Sequence, residues 1–433
     1  VFIQSPEEDT PWQTGVASSW WLHNSLKNLS KNLNNHGIQL LCFKGNSQQT
    51  ILQLVADFNV DAVVWTNRHE PHRILIDQDI EEVLIKKNIA VKRVKDELLV
   101  DPNSFLTKTH QTPYKVFTPF YKRLRHELTI MDNVGTLYDK QWRACSSPEI
   151  LNKDSGLNHL SLLPEQDWYT KLSTHWIPGE STALEKLDHF ISDALENYNI
   201  DRDFPSIQGT TSLSPHLHFG EMAPRQILKA LSPFLTFFHG KQSNNAESLL
   251  RQLIWREFAR YILWHFPETA IKPMNPKYKQ DFWTVNKQLL LKWQQGQTGV
   301  PIIDAGMKQL WETGWMHNRI RMLSASFLTK NLGIPWQEGA KWFWDTLVDA
   351  DLANNSMGWQ WVAGCGVDAA PYFRIFNPYT QTQRFDKNHS YIKQWLDLKK
   401  QTVSSRAIVD VKQSREDALL RYGQFIKSNK VKP

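Results

Sequence analysis

In the stretch AESLLRQLIWREFARYILWHF, Gln252, Trp255 and Arg256 fall at i, i+3 and i+4 and share one face of a helix. Leu249, Leu250, Leu253, Ile254, Phe258 and Ile262 supply the apolar face behind them. An amide, an indole and a guanidinium on one face suit a surface that stacks on bases and contacts phosphates. A core tryptophan beside a solvated arginine explains the same triplet. In QLWETGWMHNRIRMLSASF, read as a single helix, Trp311, Trp315, Asn318 and Met322 form a stripe with Arg319 and Arg321 beside it. Amphipathic packing accounts for the Trp and Met residues. It accounts less well for arginines and an amide interleaved with large apolar groups, a mixture suited to an edge that meets a flat, anionic, partly apolar ligand.

The segment DTLVDADLANNSMGWQW sets Asp349 and Asp351 two residues apart, ahead of Asn354, Asn355, Trp359 and Trp361. Such a pair of carboxylates can hold magnesium, but the sequence offers no third ligand nearby, so no metal is expected. Ion pairing, or hydrogen bonding to the hydroxyl and amide groups of a ligand, is the better reading. In GTTSLSPHLHFGEMAPRQIL, the hydroxyls of Thr210, Thr211, Ser212 and Ser214 stand immediately before a helix. There they can bind phosphate together with free amide hydrogens, or simply cap the helix.

Positioning these segments needs a scaffold. From residue 172 to 433, segments with a 3.6-residue period dominate and β-type alternation almost vanishes, which predicts an all-α domain. Residues 1–103 instead alternate: IQLLCF from Ile38, helical TILQLVADF, VDAVVWT from Val60, a helix over His72 to Asn88, then IAVKRV from Ile89. This is the syntax of a Rossmann-like α/β domain with a parallel sheet. Residues 104–171 are interrupted at Pro113, Pro119, Pro148 and Pro164, show no long amphipathic segment, and read as an interdomain connector. Two domains also suit 433 residues, more than one core usually organises.

Composition narrows the function. A net charge of +6 and a pI near 9.0 are compatible with a polyanionic partner without establishing one. Cys42, Cys145 and Cys365 stand far apart, which excludes a disulfide framework or zinc cluster and predicts a reducing, cytoplasmic compartment. No apolar run approaches the roughly 20 residues that span a bilayer, and no signal-peptide pattern opens the chain, so no membrane partner is expected. Of 19 tryptophans, 11 lie between Trp255 and Trp361, a concentration that packing alone does not require.

The wording of several motifs is highly specific. FPSIQGTTSLSPHLHFGE, LIWREF, TGWMHNRIRM, DADLANNSMGWQW and DAAPYFRIFNP, with PWQTGVASSWWLHNSL and PYKVFTPF nearer the start, resemble the photolyase/cryptochrome family over most of the chain. Relative to that family, the opening strand with its basic WFRRDLR-like motif is expected to lie before Val1, as in an N-terminally truncated member. The resemblance implies an FAD folded into a U within the helical domain, with Tyr198 and the run Thr210, Thr211, Ser212, Leu213 and Ser214 at its phosphates. It sets Trp315, Asn318, Arg321, Asp349 and Asp351 around the isoalloxazine and ribityl portions, and Asn355 opposite flavin N5. An amide there hydrogen-bonds N5 without protonating it, which favours an anionic reduced flavin. Trp359, Trp336 and Trp283 correspond to the family's electron relay, running inward from an exposed indole. An antenna chromophore is implied, methenyltetrahydrofolate being preferred over a deazaflavin.

The implied reaction is light-dependent repair of cyclobutane pyrimidine dimers in single- or double-stranded UV-damaged DNA, by a protein expected to act as a monomer. The dimer is flipped out of the duplex, accepts an electron from excited reduced FAD, splits and returns the electron; photolyases are among the base-flipping enzymes. Trp255 and Trp361 would hold the dimer's apolar ring and Met322 its base edge. Arg202, Gln252, Arg256, Asn318, Arg319 and Gln381 would meet the remaining lesion and backbone groups. Enzymes for the six-four photoproduct usually carry a His pair in the helix that here reads MHNRIRM; His317 stands alone there, which favours the cyclobutane lesion. One departure is Gln252, where cyclobutane-dimer photolyases generally carry an acid. Gln donates a hydrogen bond but supplies neither proton nor charge, so weaker binding or lower quantum yield is expected. The alternatives are a cryptochrome-type blue-light photoreceptor with weak or no repair, and a basic helical nucleic-acid-binding module without chemistry.

Overall fold

The computed structural model describes residues 1–94, 98–130, 156–163, 167–236, 239–278, 282–368, 373–396 and 407–430. Cys145, Pro148, Pro164 and the AAPY stretch at 369–372 lie outside them. The chain opens with β1 (Phe2–Gln4), α1 (Val16–Asn34), β2 (Cys42–Lys44), α2 (Ser47–Phe58), β3 (Ala62–Thr66), α3 (Pro71–Lys86), β4 (Ala90–Val94) and α4 (Phe117–Ile130). The expected βαβ alternation is present and its pairings are parallel, in two separate two-stranded sheets. Phe2 pairs with Cys42 in one, and Ala62 with Ala90 in the other. Asn46 caps α2 by accepting the Gln49 N–H, and Asn59 closes it in the left-handed conformation, the preferred residue types at both ends.

Two helices of this half escaped the sequence reading. In α1, Ala17, Trp20 and Trp21 bury one face against Leu172, Trp176 and Val348. In the supposed connector, Phe117, Phe120 and Leu124 recur at i, i+3 and i+7, all fully buried, and dock α4 on the helical half. The prolines at 113 and 119 do not prevent this, because one precedes the helix and the other falls in its first turn.

Beyond them the described residues are helical, as expected. The elements are α5 (Glu180–His189), α6 (Tyr198–Asp201), α7 (Ser214–His218), α8 (Pro224–Thr236), α9 (Lys241–His265), α10 (Lys287–Gln294), α11 (Pro301–Thr313), α12 (Asn318–Ser326), α13 (Trp336–Thr346), α14 (Leu352–Ala363), α15 (Pro378–Phe385), α16 (Ser390–Trp395) and α17 (Val411–Lys430). Helix α14 packs against α9, α12 and α13.

The single helix expected through QLWETGWMHNRIRM is two. Gly314 stops α11 in the left-handed region (φ 65°) and donates its N–H to Leu310 O. Its missing Cβ would lie 2.8 Å from Val348 Cγ1, so glycine is needed for both conformation and space. His317 then caps α12, its Nδ1 accepting the Arg319 N–H at 3.2 Å.

Candidate functional site

The acid–amide segment forms the centre of the site. Asp351 has an extended backbone and caps α14: its Oδ1 accepts the Asn354 N–H at 2.8 Å and the Asn354 side-chain amide at 2.7 Å. Its Oδ2 accepts from Arg260 at 3.0 Å, with His218 Nδ1 at 3.8 Å. Burial by itself would raise this carboxyl's pKa, but Arg260, His218 and Arg256 together hold it well below the usual range. Asp349 makes a second pair. Arg321 Nη2 reaches both its oxygens, at 3.1 and 2.9 Å, and Ser214 Oγ donates to it at 2.7 Å. Arg321 Nε is in turn fixed by Met316 O at 2.7 Å. The two acids are thus ion-paired, and among the described residues no group of three or more His, Cys, Asp or Glu could hold a metal.

One turn into α14, the Asn355 side-chain amide donates to Ala340 O of α13 at 3.0 Å, which fixes its plane and leaves Oδ1 and one amide hydrogen for a ligand. Below lies the hydroxyl run. The N-cap of α7 is Leu213, without a side-chain hydrogen bond, so these hydroxyls do not cap it. Thr211 accepts the Leu213 N–H at 3.3 Å, and Ser212 is in the left-handed region (φ 52°). Gly209 lets this loop press on α6, since a Cβ there would lie 2.6 Å from the Asp201 carbonyl carbon. Tyr198 is buried beside it with the Arg202 guanidinium 5.4 Å from its ring. Trp315, between α11 and α12, packs on the cluster around Trp21.

These donors fit FAD. Hydroxyls without a capping duty suit a diphosphate, and an ion-paired carboxylate and an anchored amide suit the polar edge of a flavin.

Against this site, Gln252, Trp255 and Arg256 are partly exposed on α9 while their six apolar partners are buried, as the spacing requires. Arg256 donates to Leu217 O at 3.2 Å. Trp255 stacks face to face on Phe117, centroids 3.5 Å apart and planes 4° from parallel. Asn318 and Met322 adjoin on α12, the amide 3.8 Å from the thioether sulfur. Trp361, on α14, donates its indole N–H to Asp368 O at 3.1 Å. Gln381 is half-buried on α15. Arg319 is engaged within the protein, paired with Asp203 at 2.5 Å and stacked 3.6 Å from the Phe385 centroid. Trp311 is not on the stripe with Asn318 and Met322. It sits on α11, stacked between Trp168 and Trp342, because Gly314 breaks the helix.

The three relay candidates are all buried: Trp359 at 3%, Trp336 at 0% and Trp283 at 6% exposure. The exposed indole from which the relay is expected to run is therefore not found among the three. Tyr278 stacks on Trp283 at 5.8 Å, Phe282 meets it edge-on at 4.8 Å, and its N–H donates to Thr329 O at 3.2 Å. Trp359 presses on α13 so closely that a Cβ on Gly339 would lie 2.1 Å from its ring.

Sequence reasoning missed Arg260 and His218 around Asp351, and Phe117 behind Trp255. The spacing of Arg256 and Arg260, at i and i+4, was an available signal for the first. No local signal marks Phe117 as a stacking partner.

Comparison with known proteins agrees with this architecture. Residues 1–139 match the family described as DNA photolyase, and residues 249–429 match the FAD binding domain of DNA photolyase. A deoxyribodipyrimidine photo-lyase of Agrobacterium fabrum is 39% identical over 88% of the chain and 78% of that relative. Cryptochrome-1 of Arabidopsis thaliana is 31% identical over 92% of the chain and 58% of that relative. The crystal structure of a bacterial class III photolyase from Agrobacterium tumefaciens superposes with a TM-score of 0.86 at 35% identity, covering 98% of this chain and 91% of that one. The chain belongs to the photolyase/cryptochrome family.

Proposed function

We propose that this protein repairs cyclobutane pyrimidine dimers in UV-damaged DNA under light. The observation that carries the reading is the placement of Trp361 on α14, the helix that also carries Asn355, with Trp255 and Met322 on α9 and α12, both packed against it. Two indoles and a thioether would suit the apolar faces of a flipped pyrimidine pair, and stacking contributes about 1–3 kcal/mol per base. Reduced FAD, when bound, supplies on light absorption the electron that splits the cyclobutane ring.

The chain's own residues bind and orient. Asn355, with its plane fixed by Ala340, offers N5 an amide that cannot act as an acid. The Arg321–Asp349 pair presents a charged, preorganised edge, and Asp351 and Arg260 hold the first turn of α14. Arg202 and Arg256 are the cations assigned to DNA phosphates. Gln252 can donate to a pyrimidine carbonyl but carries no proton to transfer. The family suggests a light-harvesting chromophore, for which methenyltetrahydrofolate is the preferred candidate.

A photoreceptor role is the second reading, favoured by Gln252 in place of an acid. Illumination of the reduced protein with a dimer-containing oligonucleotide separates the two. Repair predicts intact pyrimidines by chromatography after light and none in the dark; no light-dependent recovery supports the photoreceptor.

A further inference from the structure

Ser214, Arg321 and Asp349 come from three separate segments of the chain, and the cluster they form is held from outside through one peptide group. Arg321 Nε donates to Met316 O at 2.7 Å. The His317 N–H, at the other end of the same peptide group, donates to Gln309 Oε1 at 3.3 Å. A peptide group is planar, so the groups bound to its N–H and to its carbonyl stand in a fixed relation. Gln309 Oε1 also accepts the Tyr391 hydroxyl at 2.7 Å. Both side chains are buried, Gln309 on α11 and Tyr391 on α16. The same turn is tied to the acid as well: Gly314 O accepts the N–H of Val348, the residue before Asp349, at 2.8 Å. Residues 314–317 thus hold Arg321 through one carbonyl and the approach to Asp349 through another.

We propose that Gln309 and Tyr391 are positioning residues for the Arg321–Asp349 pair, and through it for the ease with which bound FAD is reduced. The contacts run from the Tyr391 hydroxyl to Gln309 Oε1, across the 316–317 peptide to Arg321, and on to Asp349, which also accepts from Ser214 Oγ. Gln309 receives two donors on one oxygen, so only one orientation of its amide serves both. Tyr391 keeps that oxygen in place. Hydrogen bonds linked in this way support one another, and loosening the first loosens the last. A cation held in one position beside a flavin favours the negatively charged reduced form by simple Coulomb attraction.

The inference rests on the reading of Arg321 and Asp349 as the polar edge of the flavin site, and its test keeps the two apart. The midpoint potential of the bound flavin is measured for wild type, Tyr391→Phe, Gln309→Met and Arg321→Gln, and for each of the first two variants combined with the third. Tyr391→Phe removes one oxygen atom and nothing else, so it carries the test if Gln309→Met does not fold. At a fixed potential the reduced-to-oxidised ratio is expected to fall about threefold in Tyr391→Phe and about tenfold in Gln309→Met, the latter being about 30 mV for a two-electron couple. A loss of global stability alone leaves this ratio unchanged, because only folded, flavin-loaded protein is read. On the Arg321→Gln background neither substitution adds a further shift, since the guanidinium they position is gone. A wild-type ratio in Tyr391→Phe or Gln309→Met, or an undiminished shift on the Arg321→Gln background, overturns the inference alone. A wild-type ratio in Arg321→Gln overturns the placing of this cation at the flavin, and the inference with it.

Discussion

Trp336 is fully buried at the start of α13, and its indole N–H has no hydrogen-bond partner among the described residues. Replacement by Phe therefore removes ring volume without stranding a polar group, at a cost of about 1–3 kcal/mol. If the relay assignment holds, Trp336→Phe suppresses photoreduction of oxidised flavin, followed by absorbance under blue light with an external reductant, and spares repair by prereduced protein. Unchanged photoreduction would remove Trp336 from the relay. The residue scale is also where a side chain's environment changes its meaning. Trp283 and Trp336 look equivalent as isolated aromatics in sequence, yet Trp283 is hydrogen-bonded and walled in by Tyr278 and Phe282. Arg319, expected at the DNA backbone, is paired with Asp203 and stacked on Phe385.

At the scale of elements, α14 is the decisive one, and Asp351 governs its start. A single carboxylate caps the helix with one oxygen and binds Arg260 with the other. Removing the cation leaves the buried charge with only the lesser support of His218 and Arg256, so Arg260→Met should destabilise the protein by up to about 3–5 kcal/mol. Adding Asp351→Asn keeps an N-cap and removes the charge, and the double variant should regain more than half of that loss. Denaturant unfolding of the four proteins in the cycle measures it; a purely additive result would show that the pair does not couple. The sequence suggested ion pairing for Asp349 and Asp351 without naming the partners, because Arg260 and Arg321 lie on separate helices. Gly314 shows the opposite case. Its stop signal was present in sequence, but the Trp and Met periodicity across it was read as one continuous helix.

On the scale of the whole molecule, Glu257 fastens the two halves. Its Oε1 on α9 accepts the N–H groups of Leu99 and Val100, at 2.8 and 3.1 Å. Burial raises its carboxyl from 4.5 to about 7, against the opposing effects of those N–H groups and of Arg256 and Arg260. A raised carboxyl holds an extra proton in the folded chain, so its contribution is fully present below about pH 4.5 and is lost as pH rises through about 7. The span corresponds to about 3 kcal/mol. His317, which burial lowers to about 4, acts in the opposite sense over an overlapping range, so the test is a difference. Relative to wild type, Glu257→Gln should gain about 3 kcal/mol in unfolding free energy between pH 4 and pH 8. A difference independent of pH would contradict the assignment.

By itself the sequence determined the family, the parallel α/β and all-helical halves, and the apolar and polar faces of α9, because periodicity and contiguous motifs are local properties of the chain. It also determined which residue types a flavin and a flipped base would require. Only the tertiary structure decided which cation meets which acid, that Phe117 stands behind Trp255, that Trp283 is enclosed, and that α4 joins the helical half. These depend on contacts between residues as far apart as Phe117 and Trp255, or Asp351 and Arg260. Such contacts form when separate helices pack, and no spacing along the chain encodes them.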